Sequence, residues 1–418
     1  MNEKQNLRLK RNVGLDYVHT FLSNMNMQSS IWVLYLAYCG MHLAQIGLLE
    51  GIYHATSIVC EIPSGAAADL MGRKRCMILS NICIAVSCVI MLFSKSFGWF
   101  AVSFVIQALG NNLNSGSEEA LVYDSMKCLG QEEYYMGVYG RLNVLIEVAQ
   151  GLATVAGGVL AELSYFWCYA ACVVIAVLAL LPVLWMAEPP QCGKAADTAG
   201  GSAKDAPAEG TPAQRTIWEA VKHHFAVSAC ILQKDARIGK IIGFYSVVFA
   251  AHTLLFFYSQ QYFADLGYNK VQISVIMLLV GGASCLGALA SEKMYRRFGK
   301  RCLIPETVII AAAILCYGAG KAGVAAAALM CAGFANAALY PIQSDSLNAL
   351  IPSEQRATLI SVDSMCFSIA MIVLFPLAGA FADRWGLKTV LLLLGAILLL
   401  FLLAAFCIEK ESFSSDHS

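Results

Sequence analysis

Several stretches of this chain place acids, amides and a histidine at helical spacing within apolar surroundings. Glu50, His54, Ser57 and Glu61 fall at i, i+4, i+7 and i+11, inside about a 60° arc at 100° per residue. Gln107, Asn111, Asn114 and Glu118 repeat the pattern, as do Asn143, Glu147, Gln150 and Thr154, while Asn24, Gln28 and Tyr35 supply a fourth polar face. Ionisable side chains in membrane-length apolar segments are costly and mark ion or substrate pathways. Lipid would not tolerate four such faces, whereas a water-filled cavity would. The chemistry on offer is exchange: desolvation favours the protonated form of a carboxyl and a nearby cation favours the ionised form. One acid can therefore trade a proton for a positively charged ligand. Glu61 and Glu118 lead as proton carriers, His54 is third, and Glu147 and Glu50 are further candidates, Glu50 lying nearest the outer end of its segment.

The second half of the chain is different in character. Tyr245, His252, Phe256, Ser259 and Phe263 align on one helical face, Asn336, Tyr340 and Gln343 on another, and Asp363 stands among several serines. An acidic wall would then face an aromatic one, and a desolvated cation over an aromatic ring gains about 2 kcal/mol or more. The competing reading is structural, because amides and hydroxyls at helical spacing also tie helices together, at about 0.6 kcal/mol per hydrogen bond. Buried acids can likewise be paired or protonated for packing alone. Pro63 removes one backbone hydrogen bond and kinks its segment.

The elements that must carry these faces are membrane spans. The 418 residues are 58% hydrophobic and 13% charged, with mean hydropathy +0.64, about half the charge of an ordinary soluble domain. Crossing a hydrocarbon core of about 30 Å takes about 20 helical residues. Twelve such segments are expected, near 17–39, 41–71, 76–94, 98–126, 138–162, 165–187, 239–264, 271–292, 302–320, 322–350, 357–382 and 387–408. An even number puts both termini on one side. That side holds 23 of the 28 Lys and Arg residues, which makes it cytoplasmic by the positive-inside rule. The N-terminal basic residues precede a span containing Asn24 and Gln28, with no cleavage site behind a short apolar core, so the first span is expected to stay in place. Sixteen cysteines include no CxxC and sit mostly alone in apolar spans, where they read as small buried hydrophobes. No metal or cofactor site is expected, and zero formal net charge argues against nucleic acid as a partner.

A five-residue element recurs as GAAAD from Gly65, GVLAE from Gly158, GALAS from Gly287 and GAFAD from Gly379, at spacings of 93, 129 and 92. Three-span units thus repeat, and the pair is duplicated. DSMKCLGQEE at 124–133 and DSLNALIPSE at 345–354 share the same offset of 221. The expected organisation is an N-terminal six-helix bundle over 1–187, a cytoplasmic linker over 188–238, a C-terminal bundle over 239–408 and a tail over 409–418. The linker, rich in Ala, Gly and Pro at 187–215, cannot bury enough apolar surface to fold, and 216–236 reads as an amphipathic surface helix. Internal repeats with a binding site between them suit secondary transporters.

Twelve spans in two halves, a long central loop, and Gly65-x-x-x-Asp69-x-x-Gly72-Arg73-Lys74-Arg75 between spans two and three resemble the major facilitator superfamily over essentially the whole chain. The resemblance implies an all-α membrane protein of two pseudo-symmetric six-helix bundles, and alternating-access transport of a small molecule. It further implies that the Gly65–Arg75 stretch is a gating latch, with Asp69 facing the start of span eleven and Arg73 pairing with an acid of span four, for which Asp124 is the match. Leu70 stands where the family often has a base, and Ser291 replaces the acid in the third copy. The Gly-Pro-x-x-Gly-Gly element of many exporting antiporters is here Ala153-Thr154-x-x-Gly157-Gly158, without the Gly-Pro. The expected function is proton-coupled efflux of lipophilic cationic or drug-like compounds by a monomer of the cell membrane. Its partners are the substrate, protons and the lipid bilayer. Proton-coupled nutrient uptake is the alternative, and a non-transporting sensor a further one. A pump driven by ATP lacks its phosphate loop, since no Gly-Lys pair is followed by Ser or Thr. An enzyme would need a nucleophile with its base or a metal cluster, and His223-His224 reads as solvated surface.

Overall fold

The computed structural model describes residues 3–190, 236–299, 303–348, 350 and 356–415; at a few of them, Asp69 among these, only the backbone is described. Among the described residues every regular element is helical. The first half contains α1 (Glu3–Ser23), α2 (Trp32–Tyr38), α3 (Leu43–Met71), α4 (Arg73–Phe93), α5 (Phe97–Asn114), α6 (Ser117–Cys128), α7 (Tyr135–Leu163) and α8 (Tyr165–Trp185). The second contains α9 (Ala236–Asp265), α10 (Lys270–Phe298), α11 (Leu303–Cys316), α12 (Ala322–Asn348), α13 (Arg356–Trp385) and α14 (Leu387–Ser415). Seven of the described helices are long and apolar enough to cross a membrane by themselves. The amphipathic helix expected over 216–236 falls almost wholly outside the described residues.

Two expected spans are broken. The span placed at 17–39 starts earlier, as α1 at Glu3, ends at Ser23 and resumes as α2 at Trp32. Ser23 Oγ and Asn24 Nδ2 both donate to the Thr20 carbonyl, at 3.2 and 2.8 Å, and such side-chain bonds compete with the helical ladder. The restart is held by Gln260 of α9, a fully buried residue whose Oε1 accepts from Val33 N–H at 3.2 Å and whose Nε2 donates to Ser29 O at 3.0 Å. One amide thus serves an orphan donor of the first turn of α2 and a carbonyl of the break. The span placed at 98–126 is also two helices, α5 and α6, separated at Ser115 and Gly116. Gly116 has φ +74°, a left-handed conformation that glycine adopts without steric cost.

The contacts cluster into two compact units that cut across the sequence halves. One comprises Met1–Gln28, Thr56–Ala153 and Phe166–Ala226; the other comprises Ser29–Ala55, Thr154–Tyr165 and Val227–Ser418. Within the first, α4 packs on α5 and α1 on α6. Within the second, α10 packs on α12, α11 on α12 and α14, and α9 on α13. The second unit also takes in α2, the first part of α3 and the last turns of α7, so one end of three first-half segments is built into the core of the second half.

The turn between α3 and α4 has a geometric demand. Gly72 has φ +93°, and an added Cβ would come within 3.0 Å of Glu188 Oε1. The left-handed region costs a residue with a Cβ about 1–2 kcal/mol. Gly72→Ala is therefore expected to lower the melting temperature of the purified protein, whereas Gly137→Ala, in a helix where a Cβ meets nothing within 4 Å, is expected to hold or raise it.

Candidate functional site

The polar stripe of α3 is real as a face, and its two ends belong to different clusters. Glu50 and His54 lie in the second unit, where His54 Nε2 is 3.6 Å from Glu50 Oε1 and Nδ1 is 3.2 Å from Ser368 Oγ of α13. Phe367 sets its ring edge-on to the imidazole at 5.5 Å between centroids. Ser57 and Glu61 lie in the first unit: Ser57 Oγ accepts from Asn112 Nδ2 of α5 at 3.0 Å, and Glu61 is half-buried.

The break at Gly116 changes the face expected from Gln107 to Glu118. Glu118 is not on the helix of Gln107, Asn111 and Asn114; it sits in the first turn of α6, where a helix N-terminus favours negative charge. Asn114 still reaches it, with Nδ2 donating to Oε2 at 2.7 Å, and Thr20 Oγ1 of α1 donates to Oε1 at 2.8 Å. His19 brings Nε2 to 3.9 Å from Oε1, and its Nδ1 lies 2.9 Å from the Ala179 carbonyl of α8. Asp16, one turn below Thr20 on α1, is 1% exposed, and neither carboxylate oxygen has a hydrogen-bond partner. Asn12, a turn further down, is fully used. Its Nδ2 donates to Ser125 Oγ and Ala187 O, both at 2.8 Å, and its Oδ1 accepts from Ala187 N–H at 2.9 Å.

Asp16 escaped the sequence reading because hydropathy started the first span at residue 17, and His19, two residues inside that boundary, was not grouped with a polar face. A signal was present: Asn12, Asp16, His19, Thr20 and Ser23 follow the same i, i+4, i+7, i+8, i+11 spacing as the other polar faces. On α7, Asn143, Glu147 and Gln150 are exposed on the helix, and Gln150 Nε2 donates to Asn24 Oδ1 at 3.2 Å. Gln28 Oε1 is buried without a partner. Tyr35 is buried against Tyr165, with ring centroids 5.4 Å apart.

The aromatic face of α9 is largely packed away. Ser259 Oγ lies 2.7 Å from Tyr317 Oη, and Phe263 is fully buried beside Tyr317 at 6.2 Å. Tyr245 is buried and stacked on Phe249 at 6.0 Å. Phe256 is half-buried, and His252 Nε2 is buried without a partner. On α12, Gln343 donates to Asp363 Oδ1 of α13 at 3.1 Å, Asn336 is half-buried, and Tyr340 is 58% exposed with its ring 5.8 Å from Phe249. Among the described residues no group of three His, Cys, Asp or Glu side chains is placed to hold a metal ion.

The stretch from Gly65 to Arg75 makes a dense knot. Arg73 forms an ion pair with Asp124 of α6 and donates to the Ala120 carbonyl. The backbone N–H groups of Arg73 and Lys74 donate to the Glu188 carboxylate at 2.8 and 2.9 Å, and Lys74 Nζ donates to the Leu184 and Met186 carbonyls at 2.9 and 2.7 Å. Glu188 thereby caps α4 from the end of the α8 segment. A Cβ on Gly65 would meet nothing within 4 Å. The side chain of Asp69 and the residues at 351–355 expected to receive it lie outside those described.

The second and fourth copies of the repeated element do something the sequence reading did not assign. Asp383 sits at the end of α13, and its two carboxylate oxygens accept from the N–H groups of Leu43 and Ala44, each at 2.9 Å. Those are the first residues of α3. Glu162, at the end of α7, accepts from Lys270 N–H, the first residue of α10, at 2.9 Å. Each acid follows its glycine by one helical turn, and each glycine admits the helix being capped. A Cβ at Gly379 would overlap the Leu43 carbonyl group, and one at Gly158 would overlap the Ser274 side chain. In the third copy Ser291 turns inward and donates to Ala338 O of α12 at 2.9 Å.

A profile of the Major Facilitator Superfamily matches residues 18–319 and 307–416. An uncharacterized MFS-type transporter, YxaM of Bacillus subtilis (strain 168), is 22% identical over 379 residues, 90% of each chain. Among solved structures, a mutant of the nucleoside transporter NupG superposes with TM-score 0.77 at 13% identity, covering 96% of this chain and 99% of that one. A D-xylose-proton symporter does so with TM-score 0.66 at 14% identity, covering 96% and 97%.

Proposed function

Because the chain belongs to the Major Facilitator Superfamily, and is thus a multi-pass membrane transporter of small molecules, we propose that it couples proton entry to the export of lipophilic cations. One observation carries the choice of cation. Among the described residues, the buried acids and imidazoles are Asp16, His19, His54 and Glu306, and no lysine or arginine is buried with them. An interior with acids and without fixed cations favours a positively charged ligand and disfavours an anionic one. Protons suit the coupling role because the same acids can be neutralised by either a proton or the substrate, never well by neither. The fold accommodates proton coupling, as the D-xylose-proton symporter of similar architecture illustrates. In this reading both termini are cytoplasmic, in keeping with the 23 of 28 basic residues on their side.

The test is transport of a fluorescent lipophilic cation in proteoliposomes under an imposed pH gradient. The expected result is movement against the proton flux that stops when a protonophore collapses the gradient. Folded, inserted protein that moves no cation, yet takes up a neutral nucleoside or sugar with protons, would replace export by nutrient uptake.

A further inference from the structure

We infer that Asp16 is the proton-binding residue of this transporter, acting in one cluster with His19 and Glu118; the inference rests on the proton-coupled reading above and names its site. Three buried acceptor atoms within one turn of α1 have no donor among the described residues: Oδ1 and Oδ2 of Asp16, and Nε2 of His19. Buried polar atoms are almost always partnered, and an isolated carboxylate removed from water costs several kcal/mol. Asp16 forms no ion pair with a described residue, and at 1% exposure it has little access to solvent. A bound proton removes the larger cost, since it neutralises the carboxyl, and it turns one of the two acceptors into a donor.

The imidazole has one orientation open to it. Nδ1 faces the Ala179 carbonyl at 2.9 Å, and a carbonyl only accepts, so Nδ1 carries hydrogen. Nε2 is therefore the atom free to take a proton, and it faces Glu118 Oε1 at 3.9 Å. Protonation there turns a contact between two acceptors into an ion pair. Glu118 is the opposite of Asp16. It holds two donors, Thr20 and Asn114, lies at a helix N-terminus, and its side chain is 19% exposed. Its charge is supported and reachable, so it is suited to meet a cation while Asp16 holds the proton.

Neighbours come from α1 itself and from three other helices. α6 contributes Glu118; α7 contributes the Tyr135 phenol, within electrostatic reach of Asp16; α8 contributes the Ala179 carbonyl; α1 itself contributes Asn12, whose amide is committed elsewhere, and His19. Hard metal cations collect six or more oxygen ligands, whereas this cluster offers an imidazole nitrogen, which favours a proton over sodium. The exchange balances. A cation arriving at Glu118 lowers the negative charge that holds the proton, one proton leaves Asp16 for water, and by reciprocity reprotonation expels the cation.

Two measurements test this on the full-length protein. The first is an infrared pH titration of the purified transporter, comparing the parent with Asp16→Asn. A protonated-carboxyl band that titrates in the parent and is missing in the variant is expected. The second uses proteoliposomes and the same fluorescent cation: Asp16→Asn is expected to lose tenfold or more of the pH-gradient-driven movement while keeping cation exchange at equal pH. A titrating band and a gradient response that both survive Asp16→Asn would overturn the assignment, as would movement driven by sodium with no such band. If the band behaves as expected but the parent moves no cation, the export reading fails and the proton site stands.

Discussion

Gly379→Val is expected to loosen the first turn of α3 by about fivefold or more, read as faster hydrogen exchange at the Leu43 and Ala44 amides. The glycine lies where α13 crosses the start of α3. A Cβ there would overlap the Leu43 carbonyl and come within 2.7 Å of Tyr258 Oη. Tyr258 is itself fully buried and its single hydroxyl hydrogen is shared between Leu43 O and Phe375 O, each at 3.2 Å, so neither neighbour has room to yield. Overpacking of this kind costs about 1–3 kcal/mol, or roughly 5- to 150-fold in the closed population at 1.4 kcal/mol per tenfold. Asp383→Asn should be milder. It keeps one of the two acceptors and loses the other together with the charge at a helix N-terminus, the charge being worth about 0.3–1 kcal/mol. An effect of Asp383→Asn larger than that of Gly379→Val would show that charge, and not the close approach, holds this end together.

Glu118→Gln is expected to weaken binding of a lipophilic cation by about thirtyfold or more with little change in melting temperature. The substitution is isosteric. Its amide oxygen can still accept from Thr20, and its NH2 can meet Asn114 Oδ1, an atom that is buried and unpartnered in the parent. What disappears is the charge alone. Removing one partner of a desolvated charge pair costs about 2–5 kcal/mol, and the lower bound is the thirtyfold given. Titration of intrinsic fluorescence with the cation at fixed pH gives the dissociation constant directly. An unchanged constant would remove Glu118 from the cation's path.

What was legible in the sequence had redundancy. Four copies of one element at spacings of 93, 129 and 92, and basic residues concentrated in alternate loops, constrain one another, so the two-bundle membrane fold could be read without structure. The pairing of Arg73 with an acid of span four was implied only by resemblance, and the structure places Arg73 on Asp124. Less legible were interruptions inside apolar runs. The residues from Asn24 to Ser30 and the Ser115–Gly116 step are short enough for averaged hydropathy to cross them, yet each ends a helix through local competition for carbonyls or a positive φ. The caps made by Glu162, Asp383 and Glu188 were illegible for another reason. Their partners are backbone N–H groups 108, 340 and 115 residues away, and a backbone amide carries no sequence signature. Asp16 was missed by one residue of boundary placement.

The caps by Asp383 and Glu162 also bear on how the molecule idles. At the end of α3 that begins with Leu43, two acids serve helix starts, one from each half of the chain. At the other end, the corresponding third copy has Ser291, which is spent within its own half on Ala338, so the sequence supplies one acid there in place of two. A twofold-related machine with unequal fasteners has no reason to rest midway. One missing charged cap, at about 0.3–1 kcal/mol, is a two- to fivefold difference in how firmly the two sets of helix starts are held. Helix starts held so unequally would bias the empty protein by themselves, with no regulator needed.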